Sequence, residues 1–157
     1  MTDFIIHSAS RRDIKILDDL MHALHDEHHS AQPEFFKTAD EIAEEKNIGL
    51  YLDEPDGLVF CAKQEDKIVG FITGHFSELT STVSQTVFMG SIDELYVKPQ
   101  FRGMGIGQAL LKRIETELKD YGVKHIFVEV WAFNKTALDI YHSVGFKHHI
   151  HWLHKDI

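Results

Sequence analysis

Between residues 90 and 131 the sequence sets out a strand, a glycine-rich turn, a helix and a second strand, and this unit constrains the fold more than any other feature. The run TVFMGSIDELYV (86–97) is rich in β-branched and aromatic residues and is closed by Pro99. QFRGMGIG (100–107) then leads into Ile106, Leu110, Leu111, Ile114 and Leu118 at helical spacing, with Gly122 as the stop. KHIFVEVW (124–131) follows as a strand. Two strands joined through one helix form a right-handed crossover, so they pair in parallel and their carboxyl ends face the same way. Ligands of open α/β sheets bind at such ends.

The remaining elements pack around that unit. Residues 4–8 (FIIHS) read as a short strand, and Ser10 with Asp13 opens a helix over about 11–28 that carries Ile14, Leu17, Met21 and Leu24. Pro33 breaks it, residues 30–37 form a loop, and Thr38-Ala-Asp-Glu41 is a capping box for a second helix ending near Gly49. From Gly57 the pattern turns to β. LVFCAK, a polar turn at Glu65-Asp66-Lys67 and IVGFITGHF make a hairpin. Asn134 caps a helix bearing Ala137, Leu138, Tyr141 and Val144, Gly145 ends it, and a last strand is expected from Lys147 to about His154. The resulting order, β-α-α-β-β-β-α-β-α-β, describes an α/β (α+β) chain with one domain over residues 1–157. Its sheet is mixed and mostly antiparallel, with a parallel pair at the cleft.

Charge narrows the partners. Sixteen Lys+Arg against 25 Asp+Glu give a formal net charge of −9, and the cations are scattered, so no basic face is available to neutralise nucleic-acid phosphates. A cationic or amine partner fits better. Cys61 is alone, which excludes an internal disulfide. No apolar run approaches the ~18 residues of a membrane span, and no leader pattern opens the chain; these features predict a cytoplasmic protein with no membrane partner.

Gly103, Gly105 and Gly107 stand on alternate positions at a helix start, where amides unobstructed by Cβ atoms form an anion site suited to a pyrophosphate. A Walker loop is absent. A dinucleotide fingerprint is not matched, since the third glycine arrives one residue early and position 108 is Gln, although Glu129 lies near the place of a ribose-binding acid. A turn built only for tight packing is the plain alternative.

Gln100-Phe-Arg-Gly103-Met-Gly105 fits the pattern Q/R-x-x-G-x-G/A, and through it the chain resembles the GNAT superfamily of acetyl-coenzyme A-dependent N-acetyltransferases. Glu94-Leu-Tyr-Val-Lys-Pro99 upstream, and Asn134, Tyr141 and Gly145-Phe146 downstream, resemble the corresponding segments of small bacterial members. The element order agrees over essentially the whole chain. The resemblance implies the GNAT acyltransferase fold and acetyl-coenzyme A as co-substrate, and the spacing of the histidines gives no metal site. It also implies transfer of the acetyl group to a primary amine, small-molecule or peptide, by direct attack in a ternary complex. Rival readings are an enzyme of the same fold with another acyl donor or a peptide N-terminal or lysine acceptor, a non-catalytic module that binds or senses coenzyme A, and a histidine-rich metal-binding protein.

The resemblance assigns the pyrophosphate to the backbone of Arg102, Gly103, Met104, Gly105, Ile106 and Gly107, and the pantetheine arm to the main chain of Leu95 and Val97. An acidic protein does not attract a polyanion by bulk charge. Loop amides and the helix N-terminus must therefore carry the binding, with local help from Arg102 and from Lys98 or Lys135.

Acetyl transfer to an amine needs a neutral nucleophile, a polarised carbonyl and a proton for the departing thiolate. Glu94 is the expected base and Asp93 the reserve. Strict alternation groups Glu94 with Ile92 and Tyr96 and turns Asp93 the other way, unless a bulge near Leu95 re-aims the strand. A solvated strand carboxylate is the bland alternative. Tyr141 is the expected acid, a phenol two helical turns beyond Asn134. Periodicity alone fits Tyr141 equally well to the apolar stripe, and the resemblance favours the acid. Asn134 either caps its helix only or also touches the cofactor. Cys61, inside an apolar strand, reads as a small core residue rather than an acetyl carrier.

Of twelve histidines, eight are concentrated at His22, His25, His28, His29 and at His148, His149, His151, His154. His25-Asp-Glu-His-His29 lacks the glutamate directly after the first histidine that a zinc-protease helix uses, and the late histidines alternate faces of a strand. They read as titrating surface residues. The resemblance places this segment on the acceptor side, where His28 or His29, with Glu27, Glu34 and Phe35, is expected to form an acidic-aromatic wall for an amine. Members of the superfamily usually fit two strands where 12 residues follow Gly145 here. One strand doing the work of two, a homodimer completing that edge, or an open cleft are the three consequences weighed.

Overall fold

The computed structural model describes residues 3–157. Five strands form one sheet in chain order: β1 (Ile5–Ser8), β2 (Gly57–Gln64), β3 (Lys67–Leu79), β4 (Val87–Val97) and β5 (His125–Val128). The first three pairings are antiparallel and β4–β5 is parallel, with α4 (Ile106–Asp120) as the crossover. The chain also carries α1 (Ile14–Ala31), α2 (Ala39–Glu45), α3 (Ile48–Asp53) and α5 (Lys135–Ser143). Among the described residues no helix is long and apolar enough to cross a membrane.

Alternation along β2 divides the core between the two faces of the sheet. Leu58, Phe60 and Ala62 pack with Ile106, Leu110, Leu111, Ile114 and Leu118 of α4 and Tyr141 of α5. Val59 and Cys61 pack on the other face with Leu17, Leu20, Met21 and Leu24 of α1 and Ile48 of α3. The β2–β3 turn places Glu65 and Asp66 at φ +50° and +63°, the mirror-image turn whose twist suits a two-residue hairpin.

The structure departs from the sequence reading in four places. Helix α1 continues to Ala31, because Pro33 restricts only the residue before it. The second expected helix is two: Lys46 leaves α2 in an extended conformation, and the Asn47 side chain caps α3 by accepting from Leu50 N at 3.0 Å. Strand β5 is four residues long rather than eight. Residues 147–157 are exposed and form no strand, with Ile150, Trp152 and Leu153 at 79%, 92% and 87% exposure. So short an edge offers few main-chain partners, and Ile150 and Trp152, which alternation would put on one face, find no core to receive them.

Candidate active site

Parallel pairing runs from Met89–His125 to Ile92–Val128 and stops, while β4 continues to Val97. Over residues 93–97 the strand keeps β3 on one side and an open edge on the other. Leu95 and Val97 lie on that stretch. The antiparallel register slips here too: Thr73 faces Glu94 but Gly74 faces Ile92, leaving Asp93 as an extra residue. Gly74 suits the slip because a Cβ there would lie 2.4 Å from the Ser91 carbonyl oxygen.

The extra residue turns the strand over. Ile92 packs on the α4 face, Tyr96 on the α1 face, and Leu95 and Val97 rejoin the α4 face. The expectation that Ile92, Glu94 and Tyr96 share one face therefore fails at Ile92, and the bulge sits at Asp93 rather than Leu95. Asp93 and Glu94 both reach the Tyr51 hydroxyl, at 2.8 and 3.0 Å, instead of diverging.

Glu94 is 3% exposed, which rules out a solvated strand carboxylate. Its Oε2 accepts from the hydroxyls of Tyr51 and Thr73, and the Thr73 oxygen accepts from Glu94 N at 3.0 Å. Lys46 Nζ lies 2.6 Å from Oε1 and His25 Nε2 lies 3.9 Å from it. Asp93 pairs with His75 Nδ1 at 2.8 Å and accepts from the Ser91 hydroxyl at 2.9 Å. Glu94 Oε1 and His25 Nε2 are shielded from solvent, yet neither makes an aligned hydrogen bond among the described residues, so the Lys46 contact is one of charge.

Burial governs the protonation states. It pushes the His25 pKa down to about 4, with the charges of Lys46, His28 and His22 adding to the shift, so the ring is neutral at pH 7. It drives the Tyr51 phenol upward, reinforced by the charges of Glu94 and Asp93, and Tyr51 stays a donor. A cavity of about 400 Å³ is bordered by Lys46, Tyr51, His75 and Asp93, and a second of about 180 Å³ by Met21, His25, Ala39 and Lys46. Lys46 borders both.

At the far end of the open edge the chain enters the glycine loop. Gly103 and Gly105 adopt φ +79° and +86°, and a Cβ added to either would meet nothing within 4 Å, so torsion rather than space favours glycine. Gly105 stands at the N-cap of α4, whose first-turn amides have no acceptor within the helix. Gly107 has no such torsion, and its Cβ would meet Ile140 at an ordinary 3.8 Å. Arg102 turns its guanidinium to Glu27 at 3.2 Å and to the Val97 carbonyl at 2.7 Å, over the Tyr96 ring.

Tyr141 is 6% exposed within the α4-side core, edge-on to Phe146. Burial raises its phenol pKa, and the negative charge of Glu94 raises it further, so the expected acid and base act on each other electrostatically. Asn134 caps α5 by accepting from Ala137 N at 3.2 Å.

The model of the acetyltransferase (GNAT) family matches residues 19–146. The chain belongs to the GNAT family. Among curated relatives, a thialysine N-epsilon-acetyltransferase of Bos taurus is 35% identical over 54 residues, 34% of this chain and 32% of that protein. An N-alpha-acetyltransferase of Sulfurisphaera tokodaii is 30% identical over 101 residues, 62% of this chain and 60% of that protein. The matched segments thus span about a third and three fifths of these relatives. The crystal structure of an acetyltransferase from Vibrio fischeri is 50% identical, covering 81% of this chain and 96% of that one at a TM-score of 0.67. The fold also matches an aminoglycoside N-acetyltransferase in complex with CoA, at 13% identity and a TM-score of 0.75, over 100% of this chain and 96% of that one.

In this GNAT chain the expected acceptor wall assembles only in part. His28 packs on Phe36 and Phe133, and Phe35 on Trp131 and His154, while Glu27 is held by Arg102 and Glu34 is exposed on the loop. Aromatic contact joins the α1–α2 loop to the segment after β5, with Phe36 and Trp131 ring centroids 4.3 Å apart. Cys61 is fully buried, with its thiol pushed up to about 12, which disfavours a nucleophilic thiolate. Among the described residues one group of three potential metal ligands converges, His7, Asp13 and Cys61, and it includes none of the clustered histidines.

Sequence reasoning misses Lys46, Tyr51, Thr73 and His75. Thr73 carries a readable signal, a lone hydroxyl inside the apolar run IVGFITGHF, since a buried hydroxyl needs a partner. Tyr51 is hidden because the break at Lys46-Asn47 has the local pattern of continuous helix.

Proposed function

We propose that this chain is an acetyl-coenzyme A-dependent N-acetyltransferase acting on a primary amine by direct attack. The observation that carries the reading is a buried carboxylate, Glu94, with one oxygen lacking a hydrogen bond among the described residues, beside the strand bulge where the open edge of β4 begins. That oxygen stands where an amine in the cleft can reach it for proton transfer, as the Lys46 ammonium does at 2.6 Å.

The cofactor fits the other end of the site. Left-handed glycines with open space around them and the unbonded amides of α4 suit a pyrophosphate across Arg102 to Gly107, and the stretch of Leu95 and Val97 that β5 leaves unpaired suits an extended pantetheine arm, with the Val97 carbonyl held by Arg102. Acetyl-coenzyme A supplies an activated acetyl thioester. Glu94 takes the amine proton, Tyr51 and Thr73 orient its carboxylate, and Tyr141, kept protonated by burial and by Glu94, donates to the departing sulfur. Asn134 holds the helix that carries Tyr141 and offers its side-chain amide toward the cofactor.

The test is release of free thiol from acetyl-coenzyme A by the purified protein with a panel of primary amines and amino-terminal and lysyl peptides. Turnover with one class supports the reading and names the acceptor. Binding of acetyl-coenzyme A without thiol release from any acceptor supports the non-catalytic alternative.

A further inference from the structure

Among the described residues Lys46 is the cation placed against the buried carboxylate, with Nζ 2.6 Å from Glu94 Oε1 and 5.9 Å from the centroid of the Tyr51 ring. Its side chain is 40% exposed and borders both cavities, whereas Glu94 is 1% exposed at the side chain. Lys46 follows the last residue of α2 and precedes the cap of α3, so it projects from a two-residue junction rather than from a helix face. A primary ammonium on a flexible four-carbon stem thus occupies the position that a substrate ammonium must take to give its proton to Glu94.

We propose that Lys46 is a site of self-acetylation, in which the chain's own ε-amine takes the place of the acceptor. The inference rests on the N-acetyltransferase reading above. The Lys46 ammonium first gives one proton through Glu94 to solvent, which frees the nitrogen lone pair. The neutral amine then bonds to the thioester carbonyl carbon, its acidity rises, and a second proton passes to Glu94. The carbon–sulfur bond breaks, and the thiolate takes a proton from Tyr141. The products are ε-N-acetyl-Lys46 and coenzyme A thiol, with one net proton released to solvent once Glu94 and Tyr141 regain their starting states. The modification removes the counter-charge of Glu94 and places a neutral amide beside it.

The experiment incubates the purified full chain with acetyl-coenzyme A and no added amine, followed by peptide mapping by mass spectrometry over time. Lys46 should gain one acetyl group at least about tenfold faster than Lys15, whose side chain is 89% exposed and reports uncatalysed acylation. The rate should be independent of protein concentration, since the amine and the carboxylate belong to one chain. Glu94→Gln and Tyr141→Phe should slow labelling at Lys46 and leave Lys15 unchanged. Labelling of Lys46 no faster than Lys15, or a rate that scales with protein concentration, overturns the proposal. The amine panel run alongside separates the failures. Thiol release with a foreign amine and an unmodified Lys46 sinks self-acetylation alone, and absence of thiol release under both conditions sinks the enzymatic reading with it.

Discussion

The glycine loop presents main chain on the surface, while the carboxylate cluster at the other end of the open edge of β4 presents side chains in the interior. Gly103 and Gly105 are exposed and left-handed, and a Cβ on either would touch nothing. Glu94 and Thr73 are 3% and 0% exposed, in ordinary strand conformation, and are defined by what their side chains touch. The loop therefore depends on torsion and tolerates bulk, whereas the cluster depends on atoms and tolerates neither loss nor rearrangement.

The sharpest way to break this contrast is Glu94→Gln, which preserves shape and removes the base. It should lower kcat/KM by about 10²–10⁴-fold with acetyl-coenzyme A affinity unchanged, measured by steady-state kinetics beside calorimetric binding. Equal losses of binding and turnover would mean that the two ends are not separable. Tyr141→Phe should reduce kcat about 10–100-fold with little change in KM for the cofactor, because the lost proton donation belongs to the transition state; unchanged kcat removes Tyr141 from the reaction.

Gly105→Val tests the torsional end. Forcing a β-branched residue to φ +86° costs about 1–2 kcal/mol, which the exposed loop sheds by leaving the left-handed torsion, so cofactor affinity should fall roughly tenfold while the melting temperature falls by no more than a few degrees. Retained affinity in the valine variant would show that the loop amides do not hold the cofactor.

His25 gives the interior end a pH signature of intermediate size. The ring titrates near 4 when folded and near 6.5 when unfolded, so between those values the unfolded chain binds more protons. Its contribution to stability is complete above pH 6.5 and declines as pH falls toward 4. Urea midpoints should trace that decline, and His25→Gln should flatten it by up to about one proton. An identical slope in the variant would mean that His25 is not held neutral in the folded chain. Gly107→Ala carries the smallest expected effect, a gain of about 0.5–1 kcal/mol in stability with cofactor affinity retained, since this glycine is helical and its new methyl meets Ile140 without a clash. A lower melting temperature in that variant would show that the first turn of α4 needs glycine for more than its torsion.

Local information explains what is legible in the sequence. The glycine loop, the caps at Thr38 and Asn134 and the hairpin turn depend on residues a few positions apart, and each forms where its residues stand. Glu94 stands out as a carboxylate on the strand entering the cleft, but its environment is not legible. Alternation groups it with Tyr96, as observed for the Tyr51 side of the sheet, and wrongly with Ile92, because the extra residue at Asp93 arises from the pairing of β3 with β4 and leaves no mark within β4. The late strand fails for a related reason, since extended residues become a strand only when an edge and a core receive them.

By itself the sequence determined the order of the elements from β2 to α5, the crossover that makes β4 and β5 parallel, and the glycine loop between β4 and α4, all of which follow from propensity and chain connectivity. Only the tertiary structure decided that Asp93 and Glu94 would converge on Tyr51, and that His25, Lys46 and Thr73 would meet Glu94 from three separate parts of the chain. The physical reason is that a buried charge must find partners wherever packing brings them, and packing joins residues far apart in the chain.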